Sequence, residues 1–122
     1  MVGGESPDFG EFARCLQLAR TLLEDDVETA TAIRVLGVSE WAREAVPCAL
    51  YCAARAPDDF EAALLQTVNL TGGAVDSIAA IVGAVAGAWH GLEGLPARWR
   101  AGVEEAAHIA DTARRLYALR RG

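Results

Sequence analysis

Asp76 and Ser77 are the two residues whose types and position best suit chemistry. They follow the Gly72-Gly73 turn and precede a run, 78–88, made almost wholly of small and apolar residues. A carboxylate and a hydroxyl are hard oxygen ligands of the kind that Mg²⁺ or Mn²⁺ prefers. The pattern is also typical of a helix start, where a first-turn acid caps the helix and complements its dipole. One carboxylate and one hydroxyl are too few ligands for a divalent ion, so spacing alone favours the capping interpretation.

Other polar residues form weaker patterns. His90 and His108, the two histidines, lie on different predicted helices, and neither belongs to a pattern typical of a nucleophile and its base. His90 is expected to cap the end of its helix. Glu40 and Glu44 share one predicted helix face, and paired carboxylates can perform acid–base chemistry, but the neighbouring Arg43 favours ion pairing instead.

The three cysteines fit neither a disulfide framework nor a zinc site. Their number is odd and no Cys-x-x-Cys occurs. Cys48 and Cys52 are four residues apart and would share a helix face, so we expect small buried thiols.

Length, composition and charge limit the class of protein. A chain of 122 residues is expected to form one domain, 1–122, and 52% hydrophobic but only 7% aromatic residues favour closely packed helices with an Ala/Leu/Val core. The net charge of -6 argues against nucleic acid as a partner. The apolar run 78–89 is too short to span a membrane, and residues 1–5 lack the features of a signal peptide. We therefore expect a cytoplasmic protein with no membrane partner.

Every periodic segment repeats at helical spacing, which predicts an all-α fold. Helices are expected over 8–25, 27–36, 40–55, from Asp58 to about Val68, 75–90 and 103–120. Together they predict a compact bundle of five to six helices.

The ends and contacts of these helices can also be predicted. Ser39 and Asp58 are expected as N-caps, and Gly37 suits the position just after a helix. The Gly/Ala-rich helix 75–90 is expected to be buried at the centre. Gly83 and Gly87 are predicted to let a neighbouring helix approach it closely.

Several segments resemble the C-terminal part of the ADP-ribosylglycohydrolase family, including its dinitrogenase reductase-activating branch. Residues 69–77, Asn-Leu-Thr-Gly-Gly-Ala-Val-Asp-Ser, resemble that family's metal loop, Gly-Gly-Asp-Thr-Asp-Ser/Thr, which precedes a Gly/Ala-rich helix. Residues 36–47 resemble its Leu-Gly-x-Gly…Ala-x-Glu-Ala-Val/Leu-Pro stretch, and 49–52 and 57–64 resemble the following helix, its turn and the start of the next helix. The likeness covers roughly residues 10–119.

The resemblance implies an all-helical enzyme that hydrolyses the glycosidic bond between ADP-ribose and a protein side chain with divalent ions. It places Asp76 and Ser77 on two metal-ligand positions, for Mg²⁺ or Mn²⁺. It places Gly37, Val38 and Ser39 on a loop that borders the ADP-ribose cleft. An ADP-ribosylated protein or ADP-ribose is the partner that it implies.

The chain departs from the family pattern at particular positions. Ala74 replaces a ligand aspartate, Val75 replaces a hydroxyl, and nothing in residues 1–35 resembles the family's Gly-Asp-Ala and Thr-Asp-Asp motifs. Two hypotheses follow. In the first, the chain is part of a hydrolase, inactive until an N-terminal half complements it. In the second, it is a non-catalytic remnant that acts as a binding module or associates with a second copy.

Overall fold

A computed structural model describes residues 7–69 and 73–120 of the chain. Within these ranges there are seven α-helices, one 3-10 turn at Leu92–Gly94, and no strand. The helices are α1 (Pro7–Glu24), α2 (Thr29–Leu36), α3 (Ala42–Arg55), α4 (Phe60–Val68), α5 (Val75–His90), α6 (Ala97–Gly102) and α7 (Ala106–Leu119). The all-α prediction is confirmed. The count exceeds the predicted five to six because α6 is a separate helix before α7.

Helix α3 lies at the centre and packs against α1, α2, α4 and α5. Its small residues Cys48, Ala49 and Cys52 are fully buried, which lets neighbouring helices approach its axis. Tyr51 is also fully buried, and its hydroxyl donates to the carbonyl oxygen of Val27 at 2.8 Å, so the one polar atom of this ring is satisfied.

Helix α5 packs against α3 and α4 at one side of the bundle, so the prediction that it is the buried central helix is wrong; α3 takes that position. Ile78, Val82 and Ala86, at spacings of four, form its buried face. The opposite side is exposed, including Val85 and Trp89, so burial is confined to one stripe of this apolar helix.

The role predicted for Gly83 and Gly87 is wrong. A methyl group added to Gly83 would lie 4.0 Å from Leu64, and one added to Gly87 would lie 3.9 Å from Phe60. Both distances are ordinary van der Waals contacts, so alanine would fit at either position and close helix packing does not require these glycines.

Two predicted N-caps are displaced along the chain. Helix α3 begins after Trp41 rather than Ser39, and the Ser39 hydroxyl instead accepts the Trp41 N–H at 3.2 Å in a local turn. Helix α4 is capped by Asp59 rather than Asp58, since the Asp59 carboxylate accepts the Ala62 N–H at 3.0 Å.

The C-terminal helices pack less than the others. Helix α6 contacts α4 through Trp99, whose ring lies edge-on to Phe60, and through an ion pair between Arg98 and Glu61. Helix α7 follows it, and none of its side chains is buried. No helix in the described part of the chain has the length and apolar character needed to cross a membrane.

Candidate functional site

The loop between α2 and α3 begins with a glycine whose backbone requires that residue type. Gly37 has φ of +94°, and its N–H donates to the Ile33 carbonyl oxygen at 2.8 Å, which ends α2. A Cβ at this position would lie 2.5 Å from the Glu44 carboxyl carbon. The backbone conformation therefore disfavours a larger residue, which would also have to displace the Glu44 carboxylate.

Glu44 holds this loop in place. It lies in the first turn of α3, half-buried, and its carboxylate accepts the Ser39 N–H at 3.1 Å. A carboxylate that accepts a backbone N–H makes a charge-assisted hydrogen bond, which is stronger than a neutral one. Glu44 thereby fixes the path of Gly37, Val38 and Ser39 at the entrance to α3.

The same loop is joined to the segment that precedes α5. The Ala74 N–H donates to the Val38 carbonyl oxygen at 2.7 Å. Gly73 has φ of +76° and lies so close to Val38 that a Cβ would overlap the valine side chain and carbonyl oxygen. The predicted substrate loop, Gly37 to Ser39, is therefore in direct contact with the segment Gly73-Ala74, which leads to Asp76 and Ser77. We call these two segments the joined loops.

Asp76 and Ser77 lie in the first turn of α5, and both are exposed. One carboxylate oxygen of Asp76 accepts the Ser77 N–H at 2.9 Å, which satisfies one of the N–H groups left unpaired at a helix start. Ala74 occupies the N-cap position and offers no side-chain oxygen. Asp76 thus has the local contact expected of a first-turn acid.

The residues described here do not by themselves form a divalent-ion site. Across 7–69 and 73–120, no three His, Cys, Asp or Glu side chains are grouped closely enough to hold a metal ion. Asp76 and Ser77 offer one carboxylate and one hydroxyl, whereas Mg²⁺ takes six oxygen ligands, some of them water. Leu70, Thr71 and Gly72 of the predicted metal loop lie outside the described residues.

The histidines lie elsewhere. His90 is the last residue of α5, fourteen positions beyond Asp76 and so about 20 Å along the helix axis. Its ring lies edge-on to Phe60, with centroids 6.3 Å apart. His108 is exposed on α7. The structure therefore brings neither histidine to the joined loops.

The predicted pairing of Arg43 with its neighbouring carboxylates is wrong. Arg43 instead reaches Glu11 on α1 at 3.4 Å, and its guanidinium lies over the Trp41 ring at 4.7 Å. Glu44 is left free to bind the loop, while Glu40 is exposed.

The predicted burial of the paired cysteines is confirmed, since Cys48 and Cys52 are fully buried and unbridged in α3. The hydrogen bond with Cys52, together with burial, raises the pKa of the Cys48 thiol, so this group stays protonated at neutral pH. Cys15 is half-buried.

Sequence reasoning missed the role of Glu44. The resemblance contained one signal for it, since Glu44 lies seven residues after Gly37 within the stretch that resembles the family pattern. Helical periodicity showed only that Glu40 and Glu44 share a face. It gave no indication that the chain turns back at Ser39 and brings a backbone N–H to the Glu44 carboxylate.

The chain is similar in sequence to proteins of one family. The sequence model of the ADP-ribosylglycohydrolase family matches residues 2–122. ADP-ribosylhydrolase ARH3 of Bos taurus is 31% identical over 118 residues, covering 86% of this chain and 32% of that protein. The Danio rerio ARH3 is 31% identical over 125 residues, covering 92% of this chain and 34% of that protein.

A third relative comes from an archaeon. An uncharacterized protein of Archaeoglobus fulgidus is 38% identical over 107 residues, covering 88% of this chain and 33% of that protein. No solved structure matches the chain. The chain thus spans about a third of the length of these curated relatives. Because the family match extends over residues 2–122, the chain belongs to the ADP-ribosylglycohydrolase family.

Proposed function

We propose that this chain supplies part of the active site of an ADP-ribosylglycohydrolase. The reaction is hydrolysis of the glycosidic bond between ADP-ribose and a protein side chain. The carbon–nitrogen or carbon–oxygen bond at the ribose breaks, water gives its hydroxyl to the ribose carbon, and the leaving side chain takes a proton. The relatives named ADP-ribosylhydrolase support this class of reaction.

One observation carries the proposal. The loop that the family resemblance assigns to the ADP-ribose cleft is joined to the segment before α5 by the hydrogen bond from Ala74 N–H to the Val38 oxygen. Gly37, Val38 and Ser39 would border the bound ribose and phosphates. Asp76 and Ser77 would face the same cleft from the start of α5.

We infer that a further polypeptide segment completes the site, because the described residues offer few oxygen ligands near Asp76. Asp76 and Ser77 would contribute to a Mg²⁺ or Mn²⁺ site only when more oxygen ligands come from outside the described residues. The complementing segment would be the part of the fold that the longer relatives contain and this chain does not match. We therefore expect the isolated 122-residue chain to release no ADP-ribose from an ADP-ribosylated protein.

The experiment is a titration of the isolated chain with ADP-ribose, followed through backbone amide NMR signals. We expect the signals of Val38, Ser39 and Ala74 to shift, while that of Thr67, buried in α4, stays unchanged. ADP serves as the matched ligand that lacks the second ribose. Unchanged signals at the joined loops would contradict the proposal.

The second hypothesis from the sequence, a non-catalytic binding module, has its own support. Ala74 stands where the family has a ligand aspartate, and no side chain caps α5 at that position. A chain that binds ADP-ribose at the joined loops, yet shows no hydrolysis when completed by a partner, would be such a module.

A further inference from the structure

Trp41 is an exposed aromatic residue next to the joined loops. It is the N-cap residue of α3, two positions after Ser39, and it is 60% exposed. Exposure alone indicates no function, because single apolar residues are common on protein surfaces. The position of Trp41 is more informative, since the loop that the family resemblance assigns to ADP-ribose leads directly into this residue.

Contacts of both its backbone and its ring hold Trp41 in place. The Trp41 N–H donates to the Ser39 hydroxyl oxygen at 3.2 Å, which ties this residue to the joined loops. The Arg43 guanidinium lies over the indole ring, 4.7 Å from the ring centroid, and also pairs with Glu11 of α1 at 3.4 Å. A cation–π contact of this kind restricts the ring while most of the residue stays exposed. A ring that is already held in one position loses less conformational freedom when a ligand binds it.

The hydrogen bonds place three parts of this surface in a row. At one end, Asp76 lies in the first turn of α5, two residues after Ala74. In the middle, the Ala74 N–H donates to the Val38 oxygen, and Ser39 follows Val38. At the other end, Ser39 accepts the N–H of Trp41. ADP-ribose has a matching linear order, with the reactive ribose, the two phosphates and then the adenosine. With the reactive ribose at Asp76, the adenine base therefore lies toward Trp41.

We propose that the Trp41 ring stacks on the adenine base of ADP-ribose and so determines how tightly the joined loops hold this ligand. This inference rests on the proposed function, which places ADP-ribose at the joined loops. An indole ring suits a planar base because stacking uses the flat π face that every base offers. Arg43 beside the ring carries the charge opposite to that of the phosphates. Trp41 falls at a position that the family pattern leaves unspecified, so the contacts in this structure, and not the resemblance, carry the assignment.

The other two tryptophans do not fit this role. Trp99 lies on α6 with its ring edge-on to Phe60. Trp89 is 76% exposed, but it lies thirteen positions beyond Asp76 on α5, about 20 Å along the helix axis. Trp89 is therefore a matched control, since it is an exposed tryptophan at the far end of α5 from the joined loops.

The experiment titrates the full chain with ADP-ribose, AMP and ribose 5-phosphate, and NMR follows the Trp41 indole N–H together with the backbone amides of the joined loops. AMP carries the base but lacks the second ribose, whereas ribose 5-phosphate lacks the base. We expect ADP-ribose and AMP to shift the indole signal and ribose 5-phosphate to leave it unchanged.

Substitution of Trp41 tests the contact directly. Trp41→Ala should raise the Kd for ADP-ribose about tenfold, the loss expected for one stacked base, and leave the Kd for ribose 5-phosphate unchanged. Trp41→Phe keeps a flat ring and should recover most of the affinity. Trp89→Ala, the matched control, should change neither Kd. Circular dichroism melts of the three variants check that each chain stays folded.

Each outcome decides the proposal. A loss of affinity that is confined to the ligands with a base, and that Trp41→Phe recovers, supports it. An equal loss for ribose 5-phosphate overturns it, since Trp41 would then act through the shape of the loop. A Kd for ADP-ribose that Trp41→Ala leaves unchanged also overturns it, while shifts at Val38, Ser39 and Ala74 in that case keep the proposed function. If AMP shifts the indole signal but ADP-ribose leaves the joined loops unchanged, the adenine contact stands and the proposed function fails.

Discussion

The regions α1–α5 and α6–α7 both consist of helices with an apolar face, but their surroundings are very different. Helix α3 buries Tyr51, Cys48 and Cys52 completely. Helix α7 shows an equally clear apolar stripe, including Ile109 and Leu116, but buries no side chain. Leu116 is 64% exposed. Periodicity thus specifies which face of a helix is apolar, whereas burial depends on whether another element is present to cover that face.

Tyr51→Ala should have the largest effect in the α1–α5 region. It removes a fully buried ring and leaves the Val27 carbonyl oxygen without the hydroxyl that donates to it. We expect a loss of about 3–5 kcal/mol in the free energy of unfolding, measured by urea denaturation. Tyr51→Phe is the control, since it removes only the hydrogen bond and should cost about 1 kcal/mol. Similar losses for the two variants would show that the ring itself is not tightly packed.

The next largest loss of stability is expected at the joined loops. Three glycines with positive φ provide the comparison. Gly37 and Gly73 are both crowded, by Glu44 and Val38, whereas Gly91 has the same type of backbone in open space. We expect Gly73→Ala to cost about 2–4 kcal/mol in unfolding free energy, as strain and overlap combine, and Gly37→Ala somewhat less because Glu44 can move. Gly91→Ala should cost less than Gly73→Ala, because only the backbone strain of about 1–3 kcal/mol applies there. If the three alanines cost the same, then backbone strain alone matters and the contact between the loops does not.

Asp76→Asn should be mild in the isolated chain. Asparagine keeps an oxygen that can accept the Ser77 N–H, so only the charge at the helix start is lost, about 0.3–1 kcal/mol. Melting temperatures with and without Mg²⁺ or Mn²⁺ provide the measurement. An ion that binds the folded state raises the melting temperature. We expect no such rise in the isolated chain, and a rise that Asp76→Asn abolishes would mean that the chain binds metal unaided.

Leu116→Ala should have the smallest effect, because a 64% exposed side chain on α7 loses little contact on truncation. We expect a change below about 0.5 kcal/mol in unfolding free energy. A loss comparable to that of a buried leucine would show that α7 is covered in solution. Analytical ultracentrifugation of the same sample would then show whether a second copy of the chain covers it.

The fold could be read largely from the sequence. Helix α5 was predicted over the residues it occupies, 75–90, because the Gly72-Gly73 turn before it and Gly91 after it both interrupt helices. Helix caps were less predictable. Ser39 and Asp58 each have the right chemistry for an N-cap, but Trp41 and Asp59 begin the helices, since the backbone path decides which residue takes the extended conformation.

The candidate site was predictable only in part. The resemblance selected Gly37, Val38 and Ser39 on one side of the site and Asp76 and Ser77 on the other. Their functional roles remain predictions. Their relation to each other could not be deduced from periodicity. More than thirty residues separate Val38 from Ala74, and only the packing of α3, α4 and α5 brings the Val38 oxygen to the Ala74 N–H.

The helical class, the apolar face of each helix and the positions where glycine ends a helix follow from the sequence alone, because they depend on contacts within a few residues. Three features depend on the tertiary fold: Glu44 secures the loop, Gly73 rather than Gly83 or Gly87 is sterically required, and α5 keeps one apolar side uncovered. Those outcomes depend on which distant segments share a surface, and local spacing contains no such information.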